Sequence, residues 1–275
     1  MRPSSGVNLA IKGTLGRAQR YTGLRVVLCV FLSNHYHLLV IPDSEQQLAS
    51  FMKFLNTNLS KQLGRLHGWA GTMFNPRYQA IPISDEEEAQ VARMRYLLEH
   101  GVKEGLVQRP GEWPGVQCVT ELTRGPNRLR GIWRGGKSLP PEERNTRETL
   151  ELSPPPAWEA RPLKQRSEAV LKIVRDVEKR SLKALAETGS RPLGERAILS
   201  QNPHDRPRVM KRSPAPIAHA ATIETWLAMK TAYWEFVAAY REAVAQWRES
   251  PGATFPAGCF PPRVFFIARA GPAWA

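Results

Sequence analysis

The sequence has few cysteines, no long apolar run and no surplus of acid. Cys29, Cys118 and Cys259 are its only three, far apart and free of C-x-x-C spacing. This excludes a disulfide scaffold and a cysteine-rich zinc site and fits a reducing compartment. The longest apolar run, Val26 to Leu32, ends at Ser33-Asn34-His35, far short of the ~20 residues a membrane span needs. Met1-Arg2-Pro3-Ser4-Ser5-Gly6 does not lead into the apolar segment of a secretory signal, so a cytoplasmic protein with no membrane partner is expected. No internal repeat is visible.

What the chain has instead is 23 prolines, 20 glycines and a net charge of +14 from Lys+Arg 39 against Asp+Glu 25. The first two numbers mean that part of it is neither helix nor strand. The third gives a field that attracts polyanions, nucleic acid first. The charge is uneven: residues 1–120 hold 13 basic and 9 acidic side chains, residues 121–215 hold 21 and 12, and residues 216–275 hold 5 and 4. The basic middle also carries Arg124-Gly125-Pro126, Leu139-Pro140-Pro141 and Ser153-Pro154-Pro155-Pro156. Residues 121–161 therefore read as a basic Pro/Gly/Arg-rich linker where extra DNA contacts should be sought.

Residues 162–275 read as a helical extension. Leu163, Ala169, Val170, Ile173, Val174, Val177, Leu182 and Leu185 have helical spacing to about Thr188. The Lys and Arg between them form a solvated face, the alternative being a basic helix lying on DNA. Ile223, Trp226, Leu227, Tyr233, Phe236, Val237, Tyr240, Val244 and Trp247 predict a second helix whose aromatic stripe is expected to be core.

The front, residues 1–120, alternates element types. Leu9 to Tyr21 suits a short amphipathic helix, and Val26–Leu32 and His35–Ile41 read as strands joined at Ser33-Asn34. Asp43 or Ser44 can cap a helix through Leu48, Phe51, Leu55, Leu59 and Leu63 that Gly68 stops. Arg77–Ile83 reads as an edge strand because of Pro82, and Ser84-Asp85-Glu86-Glu87 as a capping box opening a helix to Gly101. Helix, two strands, helix, strand and helix make an α+β arrangement with an antiparallel sheet.

Side chains alternate across a strand, so His35 and His37 emerge on one face and can offer two imidazole nitrogens to a divalent metal. Tyr96 and His100, four apart on the last helix, share a face, which adds a phenol nucleophile and a third ligand candidate. A phenol set against a metal-polarised phosphate can form a phosphotyrosine linkage that conserves the energy of a broken DNA bond.

Phe31-Leu32-Ser33-Asn34-His35-Tyr36-His37-Leu38-Leu39-Val40 resembles the His-hydrophobe-His signature of the single-tyrosine (HUH) transposases of insertion sequences and the REP-associated tyrosine transposases. Gly71-Thr72-Met73-Phe74-Asn75-Pro76-Arg77-Tyr78, Asp85-Glu86-Glu87, and Arg95-Tyr96-Leu97-Leu98-Glu99-His100 followed by Gly105-Leu106-Val107 and Trp113-Pro114 come next in family order. The resemblance spans residues 25–115 and is specific because its motifs are ordered. It implies a ferredoxin-like antiparallel sheet with helices on one face, and an enzyme that uses Mg²⁺ or Mn²⁺ to cut and rejoin single-stranded or hairpin DNA at the nucleoid. By position, His35, His37 and His100 are the implied metal ligands and Tyr96 the implied nucleophile, with Arg77, Tyr78 and Arg95 as DNA contacts. His100 stands where relatives carry Asn or Gln; an imidazole there prefers softer metals and is expected to lose its role by protonation below about pH 6.5.

Two departures accompany the resemblance. The family's first strand is expected to be lacking, because Met1-Arg2-Pro3 leads almost directly into the first helix, and this leaves a sheet edge exposed. Residues 121–275 have no counterpart in the family core. The alternative to a transposase is therefore a non-catalytic, domesticated or degenerate DNA-binding protein, and the resemblance leaves open whether the tyrosine acts in its own subunit or across a homodimer.

Overall fold

The computed structural model describes residues 1–71, 73–74, 78–136, 138–205, 216–249, 252–259 and 261–262. Two compact units divide it, Met1–Ala221 and Thr222–Ala275.

The first unit opens with α1 (Ser5–Thr22), capped by Ser4, whose Oγ accepts from the Val7 N–H, and ended by Gly23 in the left-handed region. The hairpin of β1 (Arg25–Phe31) and β2 (Tyr36–Ile41) follows, antiparallel, with Val30 opposite His37 and Cys29 opposite Leu38. Next come α2 (Glu45–His67), capped by Ser44, α3 (Glu87–Leu98), the single turn α4 (His100–Lys103) and α5 (Val119–Arg124). A second antiparallel pair, β3 (Arg128–Arg134) and β4 (Asn145–Glu151), precedes α6 (Leu163–Thr188) and α7 (Glu195–Ser200). The second unit is built on α8 (Ile223–Glu249).

The α+β class and antiparallel pairing stand as expected, with helices on both faces of β1–β2 rather than one. Tyr36 bonds Asn56 of α2, whereas its neighbour His37 meets Tyr96 of α3, and consecutive strand residues point to opposite faces. Burial on both sides explains why β1 is apolar from its second residue on: Val26, Val27, Leu28, Cys29, Val30 and Phe31 are all at most 5% exposed.

Of the expected strand 77–83, Arg77 lies outside the described residues and residues 78–83 form no strand; only Ile83 makes an isolated bridge, to His219, and Pro82 removes a ladder donor from that segment. Nor does the expected capping box close. Glu86 is the N-cap of α3 without a side-chain cap bond, and Ser84 Oγ donates to the Glu86 carboxylate instead.

Residues 121–161 are not a linker. The β3–β4 hairpin lies on α1, with Leu129, Gly131 and Trp133 of β3 and Glu148 and Leu150 of β4 facing inward. Contact is close enough that a Cβ on Gly131 would overlap the backbone of Gly13, and one on Gly13 the backbone of Ile132. Charge fastens the same joint. Glu148, 5% exposed, accepts from Arg17 (3.2 Å) and Arg20 (3.0 Å), and the Arg17 guanidinium lies 4.6 Å from the centre of the Trp133 ring. Gly131→Ala should cost about 1–3 kcal/mol in urea denaturation, because packed backbone on both sides cannot yield to a methyl group; an unchanged midpoint would show the joint to be loose.

The segments around this hairpin also close the outer side of β1. Phe31 N–H donates to the Val116 carbonyl (2.9 Å), Ser153 N–H donates to that of Val26 (2.8 Å), and Val26 bridges Leu152 in parallel. The outer side of β2 has no backbone partner among the described residues, so one open edge runs along the strand that bears the histidines.

Helix α6 occupies the expected span, burying Val170, Ile173, Val174 and Val177 with most of its charges outward, Arg166 being half-buried. Helix α8 also forms where expected, but its aromatic stripe is not core. Of its members Tyr233 is 43% and Phe236 37% exposed, and in the whole helix only Ala243 is buried. Within that unit Phe255 packs on the Tyr240 and Trp247 rings. No helix among the described residues is long and apolar enough to cross a membrane.

Candidate metal and nucleophile site

One strand residue, the turn residue just before that strand and two helical residues converge here. The tight β1–β2 turn, closed by the Leu32 N–H to His35 carbonyl bond (2.9 Å), sets His35 at the mouth of β2, with His37 two residues on along the same face. Helix α3 stops at Leu98 and the chain restarts as α4 at His100, so the expected single helix to Gly101 is two. Tyr96 and His100 remain neighbours, their ring centres 5.2 Å apart.

The three imidazoles meet through their Nε2 atoms, His35 to His100 at 2.8 Å and His37 to His100 at 3.2 Å, with one ligand atom from each within 4.8 Å of the others. Two nitrogens bound to one metal at about 2.0–2.1 Å in tetrahedral geometry stand about 3.3 Å apart, so the cluster has the dimensions of a metal site. His35 Nδ1 lies 2.6 Å from Asn34 Oδ1. Its proton must be on Nδ1 to make that bond, which leaves the Nε2 lone pair facing the other two rings; an outer partner of this kind commonly orients a metal-ligating histidine. His100 is 2% exposed and its Nδ1 has no partner among the described residues.

Burial lowers the pKa of all three rings. His37 and His100 fall to about 4, first through desolvation; the His100 and His35 rings then lower His37 against the opposing pull of Glu104, the His35 ring lowers His100, and Lys103 adds to both. His35 is lowered by burial, against the opposing pull of Glu104. At neutral pH the rings are uncharged donors, and the expected loss of His100 by protonation near pH 6.5 is corrected to a lower pH by its burial.

The Tyr96 ring stands edge-on to His37, centres 5.8 Å apart, and is half-buried. Its hydroxyl has no hydrogen-bond partner among the described residues. Two cations flank the ring, Lys103 Nζ at 4.5 Å and the Arg93 guanidinium at 5.4 Å from its centre. The sequence reading missed both: Arg93 precedes Tyr96 by three residues on the same side of α3, a plain signal, whereas Lys103 lies past the helix break, in α4. It also missed Asn34.

The remaining described candidates, Tyr78 and Arg95, make no hydrogen bond, ion pair or ring contact with the histidines. Arg95 pairs with Asp176 of α6 at 3.6 Å. Tyr78 is 38% exposed, its phenol pushed up by partial burial. Arg77 lies outside the described residues. Comparison with protein family models, curated proteins and solved structures gives no match.

Proposed function

We propose that the chain is a DNA strand transferase of the single-tyrosine transposase kind, with Tyr96 as nucleophile and His35, His37 and His100 as the holders of a divalent cation. The observation that carries this reading is the convergence of three imidazoles beside a tyrosine whose hydroxyl has no hydrogen-bond partner among the described residues. A cation held there would draw charge from a phosphoryl oxygen of the scissile linkage. Of the two ions implied by the resemblance, Mn²⁺ suits an all-imidazole set better than Mg²⁺, which prefers oxygen ligands.

The protein's own groups account for the rest. Tyr96 gives up its phenolic proton and its oxygen forms a P–O bond while the P–O bond to the leaving sugar breaks; the released sugar oxygen takes up a proton. Rejoining is the reverse, a sugar hydroxyl displacing Tyr96. Lys103 and Arg93, beside the ring, offer positive charge to the phosphate and to the phenolate as it forms.

Incubation with single-stranded hairpin oligonucleotides and Mn²⁺ should give a protein–DNA adduct that survives denaturation and is lost in EDTA. Salt-dependent binding with no adduct under any divalent ion would replace the reading with a non-catalytic DNA binder.

A further inference from the structure

The outward face of the β3–β4 hairpin belongs to no part of the site above. Its register sets Arg128 opposite Glu151, Arg130 opposite Thr149, Ile132 opposite Arg147 and Arg134 opposite Asn145, all on the side away from α1. Arg130, Arg134 and Arg147 are exposed, and Arg128 is half-buried with its Nε unpartnered among the described residues. None of the four guanidinium groups makes an ion pair with a described carboxylate. One face of two short strands thus carries four arginines against one glutamate, with Thr149 and Asn145 between them.

We propose that this face is a docking surface for duplex DNA, the ribbon entering the major groove. It extends the reading above that the chain acts on DNA. Three features select this occupant. Seven paired residues make a ribbon about 24 Å long with strands about 4.8 Å apart, a body that a B-form major groove about 12 Å wide admits. The face has no aromatic side chain, Trp133 being turned inward, whereas single-strand platforms stack bases on aromatic rings. Arg, Thr and Asn are the side chains that bond phosphates and base edges. The ribbon is also held in advance: Leu129, Trp133 and Leu150 are buried behind it, Gly131 touches Gly13, and Glu148 is tied to Arg17 and Arg20. Little ordering remains to be done on binding.

The test uses the full chain, a 20-base-pair blunt duplex and EDTA, with fluorescence anisotropy over a salt series. Because no chemistry occurs, the result is independent of adduct formation: ribbon-dependent duplex binding without any adduct would sink the transferase reading and leave the ribbon standing, and the converse holds. Replacing Arg130, Arg134 and Arg147 by Gln should weaken binding about 10–100-fold at 0.1 M salt and reduce the salt slope by about 3. Replacing Lys164, Lys172 and Lys179, exposed on α6, removes equal charge and should change affinity less than about 3-fold. Should the triple ribbon variant melt lower, Arg130→Glu alone is expected to weaken binding about 10-fold. Equal losses in the ribbon and α6 variants, no loss in the ribbon variants, or equal affinity for duplex RNA, whose deep and narrow major groove excludes a ribbon, would each overturn the proposal.

Discussion

Tyr96→Phe should abolish the denaturation-resistant adduct, a fall on the order of 10³ or more, while the protein keeps its fold, its metal site and its DNA affinity. Phenylalanine preserves the ring that packs against His37 and His100 and lies beside Lys103. The lost hydroxyl has no hydrogen-bond partner among the described residues, so its removal strands no buried group, and stability should change by less than about 1 kcal/mol. Equal metal binding and melting in the two proteins therefore separate a missing nucleophile from a damaged site. An adduct persisting in the variant would refute the assignment. Tyr36, nearest in sequence to the histidines, is a poor substitute: its hydroxyl is bound to Asn56 and burial pushes its pKa up to about 12.

The elements that the sequence discloses are those with one dominant period. Strands β1 and β2, α2 with Ser44 and Gly68 at its ends, and α6 each show an unbroken apolar rhythm and appear within a residue or two of the expected bounds. His35, His37, Tyr96 and His100 were legible because alternation in a strand and four-residue spacing in a helix are local rules. That the two pairs meet is tertiary, and only the resemblance anticipated it.

What stayed hidden was hidden for physical reasons. The β3–β4 hairpin has period two, but two of its inward positions are Gly131 and Glu148, which look like loop residues until α1 supplies Gly13 for the one and Arg17 with Arg20 for the other. Cys29 and Cys118, 89 positions apart, lie side by side with Sγ atoms 3.4 Å apart in the core, as free buried thiols. Their proximity depends on Val116 pairing with Phe31, a contact with no local signature. Conversely, the stripe on α8 has ideal spacing, yet much of it faces solvent, because periodicity gives an apolar face and says nothing about what covers it.

Without metal, the protein should lose stability as pH falls from 6.5 toward 4. In the unfolded chain the imidazoles titrate near 6.5, whereas the folded state holds His37 and His100 at about 4. Between those values the unfolded chain binds protons that the folded chain refuses, so each step down in pH favours unfolding; below about 4 both states are protonated and this contribution no longer changes. For the pair the loss is on the order of 2–5 kcal/mol, less than the two shifts summed because His37 is partly open to water. A bound cation works in the opposite direction, since it takes the same neutral nitrogens and stabilises in proportion to RT ln(1 + [M]/Kd). Melting curves from pH 8 to pH 4 should therefore fall steeply in EDTA and later in Mn²⁺, protons and metal competing for one set of lone pairs. His100→Ala removes one buried ring and the charge repulsion that it exerts on His37, so its EDTA profile should be shallower and its Mn²⁺ affinity lower by about 100-fold or more. Identical acid profiles for the two proteins, or no metal effect on the parent, would mean that the three histidines pack together without forming a binding site.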